Sequence, residues 1–469
     1  MQNQIILMDA SRIAQLISSR ELSPVEVVRA HLERIAEVNP EVNAIVTLAD
    51  GAMEAAKKAE AALMSGERVG PLHGVPFTVK DAIDTAGVLT QRGSPIFKGR
   101  VADTDATVVA RLKATGGILI AKTNTPEFSY SIETDNLLTG RTNNPWNLEY
   151  TPGGSSGGES AAIAAGMSPL GLGSDLSISV RGPAAHAGIV GFKPTHGRVP
   201  MTGHWPRVPR RFWHIGPMAR SVRDVALAYS LLAGPDGADG FSSSPLTVDA
   251  GVGAAPGRPL RVGWLASPGF FGPIDAEVVA TVKAAALALR DAGCQIEEVR
   301  MPVLEHTDGV SILWKLQEME SRPEFEKITV GHEAEVFRHV KLIFDTPETP
   351  VAEFVSAELA VERLRDSFAD YFRRYDALLC PVTPFPATKH GLDDLVIDGQ
   401  TISPFHVMTA TAPFSLTGLP ALSMRFGTNH DGLPIGVQIV SSWLAESTVL
   451  AVASRLEGVS PFRDRHPIL

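Results

Sequence analysis

The sequence has little of what marks secreted, zinc-stabilised or nucleic-acid-binding proteins. Its 469 residues include two cysteines, Cys294 and Cys380, which are too few for a disulfide framework or a four-thiolate zinc site. Lys and Arg number 42 against 52 Asp and Glu, so a net basic surface for nucleic acid is not expected. The N-terminus also lacks the basic segment of a secretory signal. We therefore expect a cytoplasmic protein that does not bind nucleic acid.

Long hydrophobic runs are equally scarce. The longest uncharged stretch, residues 407–424, contains several hydroxyl side chains and the prolines Pro413 and Pro420, so it indicates a buried strand-and-loop segment rather than a membrane span. Charged residues make up 20% of the chain and hydrophobic residues 44%, which is typical of globular proteins. We expect a soluble protein with no membrane partner.

The apolar pattern alternates between helical and extended segments. The run Ser23-Pro24-Val25-Glu26 is typical of a capping box and predicts a helix that ends near Asn39-Pro40. The pattern predicts further helices at 51–65, 106–114, 275–292, 350–374 and 446–457, and strands at 75–79, 117–121, 260–265, 377–380, 421–426 and 436–440. This alternation is typical of an α/β sheet protein.

A glycine- and serine-rich run, Gly153-Gly154-Ser155-Ser156-Gly157-Gly158, permits three interpretations. As a phosphate-binding loop it lacks the Lys and Ser or Thr that would follow. It matches the G-x-S-x-G turn of α/β-hydrolases at Ser155 and at Ser156, but no strand immediately precedes it. It is also consistent with a simple turn into a helix that begins near Glu159. The run alone leaves these alternatives open.

Two neighbouring motifs give this run its context. Lys80 ends the apolar run Gly74-Val75-Pro76-Phe77-Thr78-Val79, and Ser179 opens the run Ser-Val-Arg-Gly-Pro-Ala. In this order and spacing, the three motifs resemble the amidase signature family of serine hydrolases. The similarity extends over roughly residues 10–460, with further matching segments at Thr123–Phe128, Gly140–Trp146, Gly188–Thr195, Gly216–Arg220 and Leu416–Ala421.

The resemblance implies a single α/β/α domain over residues 1–469, with a large twisted mixed β-sheet covered by helices. The signature core would occupy about residues 70–225. A segment rich in Gly, Pro, Ala and Ser, residues 234–259, is expected to be a surface connection. Residues 376–440 would supply the C-terminal part that lines the substrate site.

The resemblance also implies a Ser-Ser-Lys triad. Ser179 would be the nucleophile, Ser155 the bridging serine after a cis peptide bond from Gly154, and Lys80 the base. The chemistry requires a neutral amine, so the pKa of Lys80 must fall from about 10.4 towards 7 or 8. Burial in an apolar wall can lower it by that amount. No metal or organic cofactor is implied.

Other residues are candidates for supporting roles. Ser156 and Asp175 would support Lys80, although simple loop capping explains them equally well. Arg181 would hold the nucleophile loop by bonding carbonyl groups or a carboxylate. The oxyanion of the reaction would be bound by the backbone N–H groups just before and at the nucleophile, those of Leu176, Ser177, Ile178 and Ser179.

The chain departs from the family at one place in this loop. The family usually has two glycines where this chain has Ser177-Ile178, and isoleucine tolerates neither a positive φ nor a close backbone approach. Either the loop has conventional φ angles and Ile178 lines the acyl pocket, or the oxyanion hole is altered. The family more often has a bulkier residue at the position of Gly182. The absence of a side chain there would provide room for the side chains of Ser177 and Ile178.

Aromatic and histidine residues give weaker signals. The segments 204–206, 212–214 and 408–414 fall where relatives place substrate-lining loops, and their aromatic residues indicate an aryl or otherwise apolar substrate group, although core packing explains them as well. His332 and His339 are seven residues apart rather than four, so we expect two surface residues and no zinc site.

The implied activity is hydrolysis of a small-molecule carboxylic amide through an acyl-enzyme on Ser179, releasing an acid and ammonia or an amine. One alternative is an amidotransferase A-type glutaminase component of a tRNA-dependent complex, which the replacements at Ser177 and Ile178 disfavour. A second alternative is a member of the family that acts on carbamate or urea-like bonds. A third is a member of the family that has no catalytic activity. The substrate's identity stays open, as does the oligomeric state, for which a homodimer is one alternative.

A mechanism without a metal predicts that chelation is harmless. We expect the rate of amide hydrolysis to be the same before and after dialysis against EDTA, because a Ser-Ser-Lys triad uses only protein side chains. Loss of activity with EDTA and its recovery with zinc would contradict this prediction.

Overall fold

The computed structural model describes residues 2–242, 258–267, 269–391 and 393–469. Its helices are α1 Gln2–Ile5, α2 Ala10–Ser18, α3 Pro24–Val42, α4 Ala52–Met64, α5 Thr107–Ala114, α6 Gly157–Ala164, α7 Arg181–Ala187, α8 Val222–Leu232, α9 Ala276–Asp291, α10 Pro302–His306, α11 Gly309–Thr329, α12 Arg338–Asp345, α13 Val351–Phe372, α14 Ala412–Leu416 and α15 Glu446–Gly458. Its strands are β1 Ile45–Leu48, β2 Pro76–Lys80, β3 Ile118–Thr123, β4 Leu170–Asp175, β5 Val190–Lys193, β6 His214–Ala219, β7 Arg261–Trp264, β8 Gln295–Glu298, β9 Ala377–Pro381, β10 Leu395–Ile397, β11 Gln400–Ile402, β12 Ala421–Thr428 and β13 Pro434–Ser441.

Within the described residues, eleven strands form one mixed sheet in the order β1-β3-β2-β4-β6-β5-β12-β13-β9-β7-β8. Strand β2 runs parallel to β3 and β4, and β7 runs parallel to β8 and β9, whereas the other neighbouring pairs are antiparallel. Strands β10 and β11 form a separate hairpin. The predicted large mixed sheet is therefore confirmed.

Helices flank the sheet and enclose its apolar side chains. Helix α15 packs against α8, α9 and the strands β12 and β13, and α9 packs on β9 and β13. Helices α6 and α7 pack against each other, and α7 also contacts β5, β12 and β13. Buried aliphatic and aromatic residues from both chain halves form one large cluster with these elements. The α/β architecture predicted from the alternating pattern is confirmed.

The capping box at the start of α3 is present as predicted. The Ser23 hydroxyl accepts hydrogen bonds from the backbone N–H groups of Val25 and Glu26, and the Glu26 carboxylate accepts one from Ser23 N at 3.1 Å. The predicted end of this helix is wrong by two residues, because α3 continues through Pro40 to Val42. A proline in the last turn removes one backbone hydrogen bond without stopping the helix, which ends where Asn43 turns left-handed with φ 51°.

The other predictions for connecting segments have mixed outcomes. The uncharged stretch from 407 to 424 is buried, as expected, but begins with a 3-10 turn and the short helix α14 before it enters β12. None of the helices in the described parts of the chain is long and apolar enough to cross a bilayer. Of the predicted surface connection 234–259, residues 243–257 lie outside the described residues.

The parallel pair β2 and β4 positions the candidate site. Thr78 and Val79 of β2 lie opposite Gly171 and Leu172 of β4, so both strands end at the same edge of the sheet. Lys80 is the last residue of β2, and the loop after β4 leads to Ser179. Helix α6 begins at Gly157, within the glycine–serine run, and α7 begins at Arg181, two residues after Ser179. Three sequence motifs that are far apart in the chain therefore meet here.

Candidate functional site

Lys80 and Ser155 are in direct contact. The Nζ atom of Lys80 lies 2.6 Å from Ser155 Oγ and 3.1 Å from Ser174 Oγ, and all three residues are fully buried. The peptide bond between Gly154 and Ser155 is cis, as the family resemblance implies. A side chain on Gly154 would collide with the backbone of Glu133, so only glycine fits at this point of the turn.

The surroundings of Lys80 favour its uncharged form. Burial lowers the pKa of the amine from 10.5 to about 7, against the opposing effects of the negative charges of Asp175 and Glu159, which raise it. A shift of this size corresponds to about 5 kcal/mol in favour of the neutral amine. Around neutral pH the amine is therefore able to accept a proton from a hydroxyl group.

Ser179 is tied to the glycine–serine turn through its backbone. The N–H of Ser156 donates to the carbonyl oxygen of Ser179 at 3.2 Å, and Ser156 Oγ both accepts from Ser174 N and donates to Ser174 O, each at 3.2 Å. The Ser179 hydroxyl forms no hydrogen bond with any described residue, so the predicted link from Ser155 to Ser179 is not made in this structure. Ser156 thus joins the turn to β4 and forms no hydrogen bond with Lys80.

Asp175 and Arg181 form a buried ion pair. Arg181 Nε donates to Asp175 Oδ2 at 3.0 Å and Nη2 to Oδ1 at 3.1 Å. Burial would raise the pKa of Asp175, but Arg181 holds it below its usual value. The same carboxylate accepts from Val180 N at 3.0 Å. Asp175 therefore supports the nucleophile loop directly and acts on Lys80 only through its charge.

Arg181 also connects this loop to the other half of the chain. Its guanidinium donates to the carbonyl oxygen of Ser177 at 2.8 Å, to Gln438 Oε1 at 2.9 Å and to Ser415 Oγ at 2.7 Å. With the pair to Asp175 and a bond to Thr411 O at 3.2 Å, every N–H of the guanidinium has a partner. Arg181 therefore bonds both carbonyl groups and a carboxylate.

The loop before Ser179 presents free backbone donors. In the part of the chain that the structure describes, the N–H groups of residues 176–179 form no hydrogen bond. Neither Ser177 nor Ile178 has a positive φ, so the loop is conventional despite the missing glycines. A Cβ atom on Gly182 would lie 2.5 Å from Ile178 Cγ1, which means that the Ile178 side chain occupies the space this glycine leaves.

A pocket opens next to this loop, and Ser177, Ile178 and Ser179 form part of its wall. Most of the remaining wall is apolar or aromatic, and no described residue that lines it is charged. Its other residues are Ser129, Tyr130, Ser131, Ile132, Leu176, Trp213, Val310, Leu313, Trp314, Gln317, His339, Phe405 and Met408. Ile178 thus lines the pocket as the first of the two alternatives expects.

The predicted aromatic segments contribute unequally. Trp213 and Met408 line the pocket, whereas Trp205 packs into a separate aromatic cluster with Phe128, at 5.0 Å between ring centroids. The prediction for His332 is confirmed, since it is exposed. The prediction for His339 is wrong, because this residue is buried and lines the pocket. His339 lies on the buried face of α12 together with Ile343, one helical turn further along. The spacing between His332 and His339 gives no information about this burial.

Two contributors to the site were missed from the sequence. Ser174 contacts the Lys80 amine at 3.1 Å. Glu159 is fully buried near it and accepts hydrogen bonds from Thr78 Oγ1 and, at 2.8 Å, from Thr123 Oγ1. Burial raises the pKa of Glu159 to about 7, and its hydrogen bonds and the nearby lysines act in the opposite direction. The sequence offered one indication that Glu159 belongs to the site, because this residue immediately follows the glycine–serine run.

The chain is similar to known proteins over nearly its whole length. The family model described as Amidase matches residues 26–450. The chain is 36% identical to the glutamyl-tRNA(Gln) amidotransferase A subunit of Symbiobacterium thermophilum over 500 aligned residues, which cover 99% of each chain. It is 35% identical to an acylamidase of Rhodococcus erythropolis over 486 residues, with 98% of this chain and 97% of the relative covered.

A solved structure supports the same relationship. The crystal structure of a bacterial aryl acylamidase of the amidase signature family matches with a TM-score of 0.87 and 28% sequence identity. The match covers 97% of this chain and 96% of that one. The similarity therefore extends over the whole fold rather than over the motifs alone.

The buried ion pair generates a stability prediction. Replacing Asp175→Asn should lower the free energy of unfolding by about 3 kcal/mol or more, because Arg181 would keep its charge in a buried site without a carboxylate. Urea denaturation measures the change. Asp370→Asn is the control, since Asp370 and Arg373 form an exposed pair at 3.3 Å that contributes little. Equal stabilities of the Asp175→Asn and Asp370→Asn proteins would contradict the prediction.

Proposed function

This chain belongs to the Amidase family of amide-hydrolysing enzymes, and we propose that it cleaves its substrate through an acyl-enzyme on Ser179, with Ser155 as the bridge and Lys80 as the base. The observation that carries the proposal is the 2.6 Å contact between the Lys80 amine and the Ser155 hydroxyl, in a fully buried setting next to the nucleophile loop. A buried lysine with a lowered pKa is suited to general-base chemistry.

The proposed acylation moves one proton along the three side chains. When substrate binds, the Ser179 hydroxyl turns to donate to Ser155 Oγ, and Ser155 donates its own proton to the neutral amine of Lys80. Ser179 Oγ then forms a bond to the amide carbon. Catalytic hydrogen bonds are often completed only with substrate present. The unpartnered state of the Ser179 hydroxyl is consistent with this order of events.

Collapse of the tetrahedral intermediate reverses the proton's path. The proton on Lys80 returns through Ser155 to the leaving nitrogen, the C–N bond breaks, and the amine departs. Water then attacks the ester carbon and gives its proton through Ser155 to Lys80. The bond from that carbon to Ser179 Oγ breaks, the proton returns through Ser155 to Ser179 Oγ, and the acid departs. The free N–H groups of residues 176–179 support a role in binding the oxyanion, because donors without internal partners are available for it.

A second candidate, a glutaminase acting within an amidotransferase complex, is favoured by the similarity to the Symbiobacterium protein. The pocket argues against it. Glutamine has an ammonium and a carboxylate close to the amide, and burying both in a pocket without a charged lining residue among those described would be costly. An uncharged amide with an apolar or aryl group fits this lining better.

The single domain and the cytoplasmic location are also parts of this proposal. One sheet contains strands from both ends of the chain, which favours a single domain. Cys294 and Cys380 are both buried free thiols, which is typical of a reducing compartment.

Covalent labelling tests the assignment of the triad. A fluorophosphonate should add its mass once to the wild-type protein, and the Ser179→Ala protein should not be labelled. Lys80→Met should slow labelling and anilide hydrolysis by about 10²–10⁴-fold, because the general base is lost while the buried volume is nearly kept. Intact-protein mass spectrometry and a spectrophotometric rate assay give the two results.

The matched control is Ser160→Ala. Ser160 lies in α6 close to Ser155, and its buried hydroxyl donates to the carbonyl oxygen of Gly157 at 3.1 Å. Its replacement should leave labelling near the wild-type rate, whereas Ser155→Ala should slow it strongly. Fast labelling of the Lys80→Met protein, or labelling that persists in Ser179→Ala, would refute the assignment.

A further inference from the structure

His339 is a buried histidine with no internal partner. Its side chain is 5% exposed, and neither ring nitrogen forms a hydrogen bond with any described residue. The Nδ1 atom is completely enclosed and out of reach of a ligand, whereas Nε2 is not enclosed. Buried polar groups in proteins are nearly always hydrogen-bonded, because an unpaired group loses its hydrogen bonds to water without replacing them. Because His339 lines the pocket, Nε2 is a polar atom without a protein partner that is available to a ligand bound there.

The ring is neutral and held in place. Burial, together with the positive charge of Arg338, lowers the pKa of His339 from 6.5 to about 4. The imidazole packs edge-on against Phe337, with 4.9 Å between ring centroids. With Nδ1 enclosed, the neutral ring offers a ligand one polar atom, Nε2, which donates or accepts according to the tautomer. It is therefore matched to an uncharged ligand group such as a hydroxyl or an amide, and not to a carboxylate.

Neighbouring residues reinforce this polar character. Gln317 of α11 also lines the pocket, and its amide forms no hydrogen bond within the described residues. The Tyr130 hydroxyl is enclosed and out of reach of a ligand, and its ring packs 5.9 Å from the ring of Trp314. The pocket thus combines aromatic walls with the neutral polar side chains of His339 and Gln317.

We propose that His339, assisted by Gln317, binds a neutral hydrogen-bonding substituent on an aryl or otherwise apolar part of the substrate. The inference rests on the proposed function and narrows its substrate class to uncharged amides that have such a substituent away from the amide to be cleaved. Aromatic side chains of the pocket pack against the aryl ring of the substrate. The imidazole of His339 discriminates between substrates by the substituents on that ring.

The expected discrimination is substantial. A site built to hydrogen-bond a substrate group rejects the analogue that lacks it, because the buried protein group is then left unpaired. For one neutral hydrogen bond, we expect the hydroxylated substrate to be preferred by about 10–100-fold in kcat/KM. An apolar pocket without such a group would show no preference of this size.

Matched substrates test the proposal. Acetanilide is compared with its ortho, meta and para ring-hydroxylated forms, and benzamide with its three hydroxybenzamides, so that a hydroxyl is offered on the amine side and on the acyl side. The wild-type protein should prefer at least one hydroxylated member by about 10-fold or more in kcat/KM. In His339→Phe, which keeps an aromatic ring, that ratio should fall towards one. The ratio is independent of the fraction of protein that folds.

Two further variants make the result specific. Gln317→Met should reduce the same ratio by a smaller factor. His332→Phe is the matched control, because His332 is exposed and its partner Glu335 lies on the surface at the end of the same segment. This control should leave the ratio at its wild-type value. The proposal is overturned if no hydroxylated substrate is preferred, or if His339→Phe keeps the preference.

Binding without turnover separates this inference from the proposed mechanism. The same amide pairs are titrated into the Ser179→Ala protein, and the fluorescence of Trp213 and Trp314 in the pocket wall reports binding. A hydroxylated ligand should bind about 10-fold or more tightly than its parent, and His339→Phe should remove this difference. Failure of catalysis with an intact binding preference would refute the mechanism alone. Equal binding within every pair would refute the role of His339.

Discussion

Burial of the Lys80 amine is the constraint on which the rest of the site depends. Removing an ammonium from water favours its neutral form, whereas Asp175 and Glu159 pull towards the charged form. Arg181 neutralises Asp175 through a bidentate pair. This pairing limits how far the negative charge of Asp175 raises the pKa of Lys80. The balance places the pKa of the amine at about 7, where a lysine is able to take and return a proton.

The fold supplies this balance by bringing distant segments to one edge of the sheet. Parallel strands β2 and β4 deliver Lys80 and the nucleophile loop, and the glycine–serine turn packs closely against the backbone of Ile132 and Glu133 because Gly154 has no side chain. Arg181 then ties the loop to residues more than two hundred positions later in the chain. The donors of the loop are fixed before any substrate arrives, which is the condition for electrostatic catalysis.

The sequence revealed those parts of the site that have local signatures. The apolar run ending in Lys80 predicted β2, and the motif around Ser179 identified the nucleophile loop. Strand β4 was missed because its sequence Leu-Gly-Leu-Gly-Ser-Asp has low strand propensity and is defined by its buried partners on both sides. The role of His339 was also inaccessible, since the pocket is assembled from segments whose proximity only the tertiary structure shows.

The pKa of the Lys80 amine is the most direct test of the central claim. Protein labelled with ¹⁵N-lysine is titrated by NMR, and the Lys80 resonance is assigned by its absence in Lys80→Met. The account predicts a midpoint near 7, well below the ordinary value of about 10.4. A Lys80 amine that stays protonated up to pH 10 would contradict the account, because no neutral base would then be available to Ser155 at physiological pH.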